Sequence, residues 1–330
     1  MKKHKVAIIG FGKMGKIRER FIKKRSDTEI VCVSEPIDKD ELDGYPNREI
    51  NDIIQDKDID TVFICTPNYL NKELTIQSLE NGKNVFCEKP PAFNSYDMYH
   101  IMQVEREHPN QKLMYGFNHR HHDSIKLAKE MIDSGQYGKL LWMRGRYGKS
   151  VDKNFFNNWR AKKELAGGGI LLDQGIHMLD LMLMFAEDFD DVHAFVSNLY
   201  WKLEIEDNVF AIFRNTKSGV VASLHSTMTQ WRHLFSFELF LEKGYIVING
   251  LLTSSRTYGR EILTYAKNRS TAPAATWSDE EKVEFTVDNS WENEINLFFD
   301  AINNKNNVSI GNSEQAFKLM KLIDRIYLNQ

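Results

Sequence analysis

The sequence predicts an α/β chain in two parts, an N-terminal dinucleotide-binding domain on a parallel sheet and a C-terminal α+β domain on a largely antiparallel open sheet. Three observations predict it. Over the first third, short apolar runs alternate with helix-length amphipathic stretches, the pattern of a parallel sheet covered by helices. A G-x-G-x-x-G stands directly between the first apolar run and the first helical stretch. Beyond Asp123 the rhythm changes to a succession of strand-like runs, two of them joined by hairpin-type turn residues. A length of 330 residues exceeds what one core usually organises, which agrees with two domains, 1–122 and 123–330.

Lys5 to Ile9 opens the first domain as a strand, followed by a helix from Lys13 to Lys24 and a second strand from Glu29 to Val33. Helical composition returns at Glu49 to Gln55, so the second βα unit is short. Strands follow at Thr61 to Cys65, Val85 to Cys87 and Leu113 to Tyr115, with helices at Lys72 to Glu80 and Tyr96 to Glu107 between them. Asn81-Gly82 closes the first of these helices with a residue suited to a left-handed cap. In the second domain a helix (Ser124 to Asp133) leads to a strand (Leu140 to Tyr147), and Leu171 to Phe185 reads as one helix. Strands are expected at Val192–Leu199, Val209–Phe213, Val220–Ser226, Phe235–Leu241 and Tyr245–Asn249, with Asn215 to Gly219 as a turn. Helices at Trp291 to Asn303 and Ser313 to Tyr327 finish the chain, the last entered through a Ser313 cap.

Hydrophobic residues at 42% and charged residues at 27% exclude disorder, collagen-like repeats and coiled coil. A net charge of -3 points away from nucleic acid, whose binders gather a basic excess on one face. Met1-Lys2-Lys3-His4-Lys5 is basic, but the apolar run after it is too short for a signal peptide, and no stretch approaches the roughly 18 apolar residues of a membrane span. A cytoplasmic protein without membrane partners is the expectation. Cys32, Cys65 and Cys87 suit neither a disulfide framework nor a zinc site, and read as reduced core thiols.

Gly10-Phe11-Gly12-Lys13-Met14-Gly15 carries the dinucleotide reading, a Rossmann-type unit. Gly10 permits the tight turn, Gly12 lets a pyrophosphate approach the backbone, and Gly15 allows close packing of helix on strand. The helix N-terminus offers amides and partial positive charge to the phosphates. Glu35, twenty residues after Gly15, ends the second strand where a carboxylate accepts from the adenosine ribose and repels a 2′-phosphate. Pro36-Ile37 follows in place of an arginine, so NAD is expected over NADP, with Lys39 as the residue able to spoil that inference.

Lys89 lies just past the carboxyl end of a parallel strand, facing the crevice where such sheets bind ligands. Asp173 and His177 are four apart in a helical stretch, so both project from one face as a coupled pair. Alcohol oxidation needs a base within hydrogen-bond reach of the hydroxyl, and imidazole titrates near the working pH. No third ligand stands at metal-site spacing, so no metal is expected.

Cys65-Thr66-Pro67-Asn68, Glu88-Lys89-Pro90 and Gly116-Phe117-Asn118 follow three successive strands, and Gly167-Gly168-Gly169 precedes Asp173, His177 and Asp180. In this order the chain resembles, over most of its length, the glucose-fructose oxidoreductase, inositol dehydrogenase and rhizopine catabolism family, Gfo/Idh/MocA. The resemblance implies that Lys89 sits beside nicotinamide and substrate, with a cis peptide to Pro90. It implies the same Asp173/His177 pair, and it implies that Thr66, Pro67, Asn68, Glu88, Asn118, Trp159 and Arg160 line the cofactor and substrate cleft. Asn71 departs from the family, which often has histidine there, and so does His119-Arg120-His121-His122, where an arginine–aromatic pair is commoner. Arg120 and His121, with Arg144, Arg146 and Arg160, are expected to meet a phosphate or carboxylate on the substrate. A solvated loop is the alternative reading of that cluster.

The expected activity is hydride transfer between NAD(H) and a secondary alcohol or ketone of a sugar or sugar derivative, with His177 as acid/base, Asp173 orienting it and Lys89 polarising the oxygen. A phosphate- or nucleotide-linked sugar is the first substrate class and a free sugar or inositol-type polyol the second. The rival is a dinucleotide-binding sensor or regulator without turnover. Homo-dimer or homo-tetramer is expected by resemblance.

Overall fold

Val6 to Ile9 are fully buried and form the inner part of β1 (His4–Ile9), an interior strand of a five-stranded parallel sheet. Its order is β2-β1-β3-β4-β5, with β2 (Thr28–Ser34), β3 (Thr61–Ile64), β4 (Asn84–Cys87) and β5 (Leu113–Tyr115). Helices α1 (Lys13–Ile22), α2 (Ile50–Gln55), α3 (Asn71–Glu80) and α4 (Ser95–Glu107) connect the strands. With both faces covered, the strands read as continuous apolar runs rather than alternating ones. This computed structural model describes residues 3–36, 42–267 and 276–329. Met1, Lys2, Ile37 and Lys39, each used in the sequence reading, lie outside the described residues.

One face of this sheet packs its aromatics in a tight group. Phe63 stacks on Phe86 at 4.9 Å between ring centroids, and Phe298 meets Phe86 edge-on at 5.6 Å. Phe298 comes from α8 (Ser290–Asn303), which joins the same core with Ile295 and Phe299. The chain accordingly divides into two compact units, Met1–Asn118 with Trp291–Met320, and His119–Ser290 with Lys321–Gln330. A single boundary at 122/123 had left α8 with the second domain. Helical periodicity identifies an apolar face but not the sheet that receives it.

The second unit holds an eight-stranded sheet of order β13-β12-β11-β10-β6-β9-β8-β7. Its strands are β6 (Leu140–Ser150), β7 (Asp191–Ser197), β8 (Asn208–Arg214), β9 (Val221–Thr227), β10 (Thr229–Leu241), β11 (Gly244–Asn249), β12 (Glu261–Lys267) and β13 (Glu281–Phe285). All neighbours pair antiparallel except β6 and β9. The turn between β8 and β9 forms as its residues demand: Asn215 accepts from the amides of Lys217 and Ser218, and Gly219 takes a φ of +80°. β12 and β13 were not expected from the sequence, because charged residues such as Glu261, Lys267, Glu281 and Lys282 obscure their alternation.

Two helical expectations change. Leu171 to Phe185 is not one regular helix: Leu171–Gly175 is a π turn that feeds α7 (Ile176–Ala186). Asn312, not Ser313, caps α9 (Ser313–Leu328), since its side chain accepts the Gln315 amide at 3.0 Å. One stretch does approach a membrane span, contrary to the expectation from sequence. The helical run Lys163–Ala186 is long and apolar enough by length and composition, and 78% of its most apolar window is buried inside the protein, as in a core helix.

Candidate active site

The three glycines of the loop between β1 and α1 have different surroundings. Gly10 has a φ of +89°, and a Cβ there would lie 2.6 Å from the carbonyl oxygen of Cys65. A Cβ on Gly15 would collide with the Gly10 carbonyl oxygen. Gly12, which caps α1, would bring its Cβ within 4 Å of nothing. A loop that is closed behind and open at Gly12, in front of a helix N-terminus, fits a dinucleotide pyrophosphate. Phe11 buries its ring and donates its amide to the Glu35 carboxylate at 2.6 Å, which draws the end of β2 against the loop. Lys13 is exposed and Met14 half-buried on the first turn of α1.

The carboxyl ends of β1, β3, β4 and β5 are in step. Cys65 donates its amide to Ile9, Glu88 to Ile64 and Gly116 to Cys87, so Thr66-Pro67-Asn68, Glu88-Lys89-Pro90 and the segment reaching Asn118 leave the sheet along one edge. The Lys89–Pro90 peptide is cis, as the resemblance implied. Asn71, flagged as a departure, is fully buried; its amide donates to the Pro90 carbonyl at 2.8 Å and lies 3.3 Å from that of Glu88. It therefore staples the loop that carries Lys89. Glu88 is corrected as a cofactor contact through its side chain. Its carboxylate accepts from Arg18 at 2.7 Å, and Arg18 also reaches Glu294 at 2.5 Å, because a buried carboxylate requires a charged partner. Arg18 lies 4.3 Å from the Phe86 ring centroid, and nothing in its helical surroundings marks it out in the sequence.

In the second unit, the turn that carries Asp173 is built by Glu206. Its carboxylate accepts from the amides of Gly169 and Leu171 at 2.8 and 3.0 Å and from the Tyr327 hydroxyl at 2.9 Å. Burial pushes the Glu206 carboxyl above its ordinary value, against the pull of those donors. A Cβ on Gly169 would collide with the Glu206 backbone, so the glycine run is needed for this approach. Leu171–Gly175 is wound as a π turn, so Asp173 reaches the chain's buried helix through an altered turn, and His177 stands on the first turn of α7. Asp173 is paired with Lys149, from the end of β6, and lies 3.6 Å from Arg160 Nε. Arg160 stacks over Trp159 at 4.2 Å. His177 is buried and lies flat against His119, 3.9 Å between ring centroids with planes 14° apart. His119 Nε2 is 2.9 Å from the Tyr147 hydroxyl, which burial holds well above its ordinary pKa.

The basic run His119 to His122 is neither a solvated loop nor an open anion site. Arg120 is buried and donates twice to Asp180, at 2.7 and 2.6 Å, so its charge is neutralised inside the unit. His122 Nδ1 lies 2.9 Å from Glu261, and His121 is buried. Arg144 is held by Glu238 through bonds of 2.7 to 3.0 Å. The expectation that Arg120 meets a substrate anion is thereby corrected: burial required a partner for this cation, and Asp180 supplies it, while the exposed Arg144 is held by Glu238. Sequence reasoning missed Lys149, Glu206 and Tyr147; Lys149 stands on a strand end with no motif to signal it. Among the described residues no group of three or more histidine, cysteine or acidic side chains is arranged to hold a metal ion.

These features define a class: a parallel-sheet dinucleotide unit joined to a mixed-sheet unit that contains a buried histidine helix. Residues 4–117 match the oxidoreductase family with NAD-binding Rossmann fold, and residues 125–247 match the GFO/IDH/MocA C-terminal domain. The chain belongs to the GFO/IDH/MocA family. It is 30% identical over 237 residues to a levoglucosan dehydrogenase of Pseudarthrobacter phenanthrenivorans, covering 62% of this chain and 60% of the relative. It is 26% identical over 234 residues to a 1,5-anhydro-D-fructose reductase of Ensifer adhaerens, covering 70% and 68%. The chain spans 47% to 64% of the length of the first three curated relatives it matches. In fold it is similar to levoglucosan dehydrogenase in complex with NADH and levoglucosan, with a TM-score of 0.86 at 24% identity over 99% of this chain and 97% of the other.

Proposed function

We propose that the chain is an NAD-dependent dehydrogenase or reductase acting on a secondary alcohol or ketone of an uncharged sugar-like molecule. The observation that carries this reading is the π-wound entry to α7, which sets Asp173 and His177 on an otherwise apolar, buried helix. The next polar group of that helix, Asp180, is already engaged by Arg120. In the oxidative direction His177 accepts the hydroxyl proton while the carbinol hydrogen leaves with its electron pair. Asp173, paired with Lys149 and 3.6 Å from Arg160, is assigned the orienting role and Lys89 the polarising of the reacting oxygen. The amides at Gly12 and the α1 N-terminus would hold the pyrophosphate of NAD, and Glu35 the ribose. Bound nicotinamide supplies the hydride acceptor or donor.

The preference for an uncharged substrate follows from Arg120 and Arg144, which are paired within the protein. The relatives named for levoglucosan and 1,5-anhydro-D-fructose agree with it, while two others are named for 2,7-anhydro-N-acetylneuraminate, which carries a carboxylate. Following reduced-cofactor absorbance across uncharged anhydro sugars, polyols, sugar phosphates and nucleotide sugars tests the class. Turnover confined to uncharged compounds is expected, and turnover confined to phosphorylated ones would overturn the assignment. Lys89→Ala and His177→Ala are expected to retain NAD binding while turnover falls by about 100-fold or more. Unchanged turnover removes the residue concerned from the mechanism.

We also propose that the chain self-associates as a dimer or tetramer through the uncovered face of the second sheet. Phe195 and Phe210 pair across β7 and β8 and are 77% and 50% exposed, beside Ile212 at 58%. Light scattering of the purified protein reads the assembly mass directly.

A further inference from the structure

We propose that the aromatic rim beside Asp173 is a saccharide subsite: the rings of Trp201, Tyr200 and Phe156 hold a second sugar ring, glycosidically linked to the one that is oxidised. The inference rests on the sugar dehydrogenase reading above and narrows its substrate class to a disaccharide or longer glycoside. Strand register fixes where these rings stand. Ser197 pairs with Asn208, Asn208 with Thr227, Thr227 with Gly148 and Gly148 with Leu234, so one end of the second sheet is a row running from β7 through β8, β9 and β6 to β10. The segments that leave this row are 151–162, 198–207 and the start of β10, where pairing slips between Thr229 and Leu234. They carry three of the chain's six tryptophans, Trp159, Trp201 and Trp231, together with Phe155, Phe156 and Tyr200. Loops held at one end of a rigid scaffold are where ligand contacts are commonly placed.

The rim is continuous with the candidate site inside the same unit. Lys149, at the end of β6, is paired with Asp173 and lies 5.0 Å from the Phe155 ring centroid. Phe156, the next residue, meets Trp201 edge-on at 6.1 Å, and Tyr200 meets Trp201 edge-on at 4.9 Å. These rings are fixed in place by the backbone beneath them. The fully buried Asp207 accepts the amides of Leu199, Tyr200 and Trp201 at 2.8, 2.8 and 2.9 Å, and the Trp201 indole donates to the Met228 carbonyl at 3.0 Å. Yet Tyr200 is 69% exposed and Phe156 45%, with Trp201 partly buried between them. A ligand that stacks there meets rings already ordered, so little further side-chain entropy is lost. One face of a pyranose presents C–H groups, apolar and slightly positive, which complement the negative face of an aromatic ring. The hydroxyls around its edge need polar partners, and Asn157, Gln230 and Arg232 stand on the same segments. Phe195, Phe210 and Ile212, by contrast, lie on the strands themselves and away from this row of loops.

The test sets monosaccharides against disaccharides that contain them, glucose against maltose and cellobiose and galactose against lactose, in two readouts. Reduced-cofactor absorbance gives kcat/KM for each sugar. The native protein is expected to favour the disaccharide of a pair by about tenfold, chiefly through KM, and Trp201→Ala to abolish that preference. Trp201→Phe, which keeps a ring, should restore part of it. Phe156→Ala removes an exposed ring with no hydrogen bond to break and should lower the same ratio. The second readout is NMR of the NAD-bound protein labelled in its tryptophan indoles. The Trp201 signal, assigned by its loss in Trp201→Phe, is expected to shift with maltose or cellobiose and to shift less with glucose. A native protein that turns over the monosaccharides as well as the disaccharides overturns the proposal. So does a ratio unchanged in both Trp201→Ala and Phe156→Ala, with folding verified by melting temperature. A fall in assembly mass in Phe156→Ala with an unchanged ratio overturns it too, and makes the rim a contact between copies. Failure of the dehydrogenase reading is distinguishable, since it appears as no turnover of any uncharged sugar while the Trp201 signal still responds to the disaccharides.

Discussion

Gly12 and Gly15 belong to one motif, yet side chains placed on them would meet opposite surroundings. An added methyl at Gly15 meets the Gly10 carbonyl, so Gly15→Ala is expected to cost about 1–3 kcal/mol of stability through overpacking. At Gly12, where φ is -73° and no atom stands within 4 Å, Gly12→Ala is expected to leave the melting temperature within a few degrees and weaken NAD binding at least tenfold. Thermal melts and a cofactor titration on both variants separate a packing glycine from a ligand glycine. Equal loss of stability in both would remove the distinction. At this scale the motif residues were legible in the sequence, because turn and phosphate chemistry restrict residue type locally. The partners of Arg120, Glu88 and Asp173 were not, since Asp180, Arg18 and Lys149 reach them only through the fold.

Elements are held at their ends by contacts that periodicity does not report. His4 opens β1, with Nε2 2.8 Å from the Asn303 side chain of α8 and Nδ1 3.5 Å from Asp60, just before β3. The hydrogen bond to Asp60 raises the His4 pKa above 6.5, against partial burial, and Asp60 is held below 3.8 although burial opposes this. His4 thus contributes stability that is fully present below its unfolded value of 6.5 and is lost as pH rises through its higher folded value. Asp60 contributes above its unfolded value of 3.8 and loses that contribution as pH falls through its folded one. The difference in melting temperature between the native protein and His4→Gln is expected to be largest between about pH 4 and 6.5 and to shrink toward pH 8.5. A gap that widens with pH would contradict the assignment. The π turn at Leu171–Gly175 belongs to the same scale: Leu171, Leu172 and Gln174 are good helix formers whereas Asp173 and Gly175 are not, and Glu206 binding the Gly169 and Leu171 amides accompanies the altered winding.

For the molecule as a whole, the chain's return matters more than its first boundary. Ile295, Phe298 and Phe299 complete the core of the first unit from nearly 200 residues beyond its sheet, so neither domain is a continuous segment. The second sheet covers one face and leaves Phe195, Phe210 and Ile212 on the other, an apolar area of the kind that marks association. Ile212→Asp is expected to lower the assembly mass seen by light scattering without unfolding the protein. A native protein that is monomeric at micromolar concentration would reject association through this face.

By itself the sequence determined the parallel strand series, the glycine loop, the Lys89-Pro90 step after a strand and the Asp173/His177 spacing, since each depends on residues close together in the chain. Only the tertiary structure decided what those groups touch. It set His119 flat on His177, gave Asp173 to Lys149 and Arg160, and neutralised Arg120 with Asp180. The reason is the same throughout: local sequence governs backbone conformation, whereas a buried charge or ring takes whichever partner packing brings within a few ångströms.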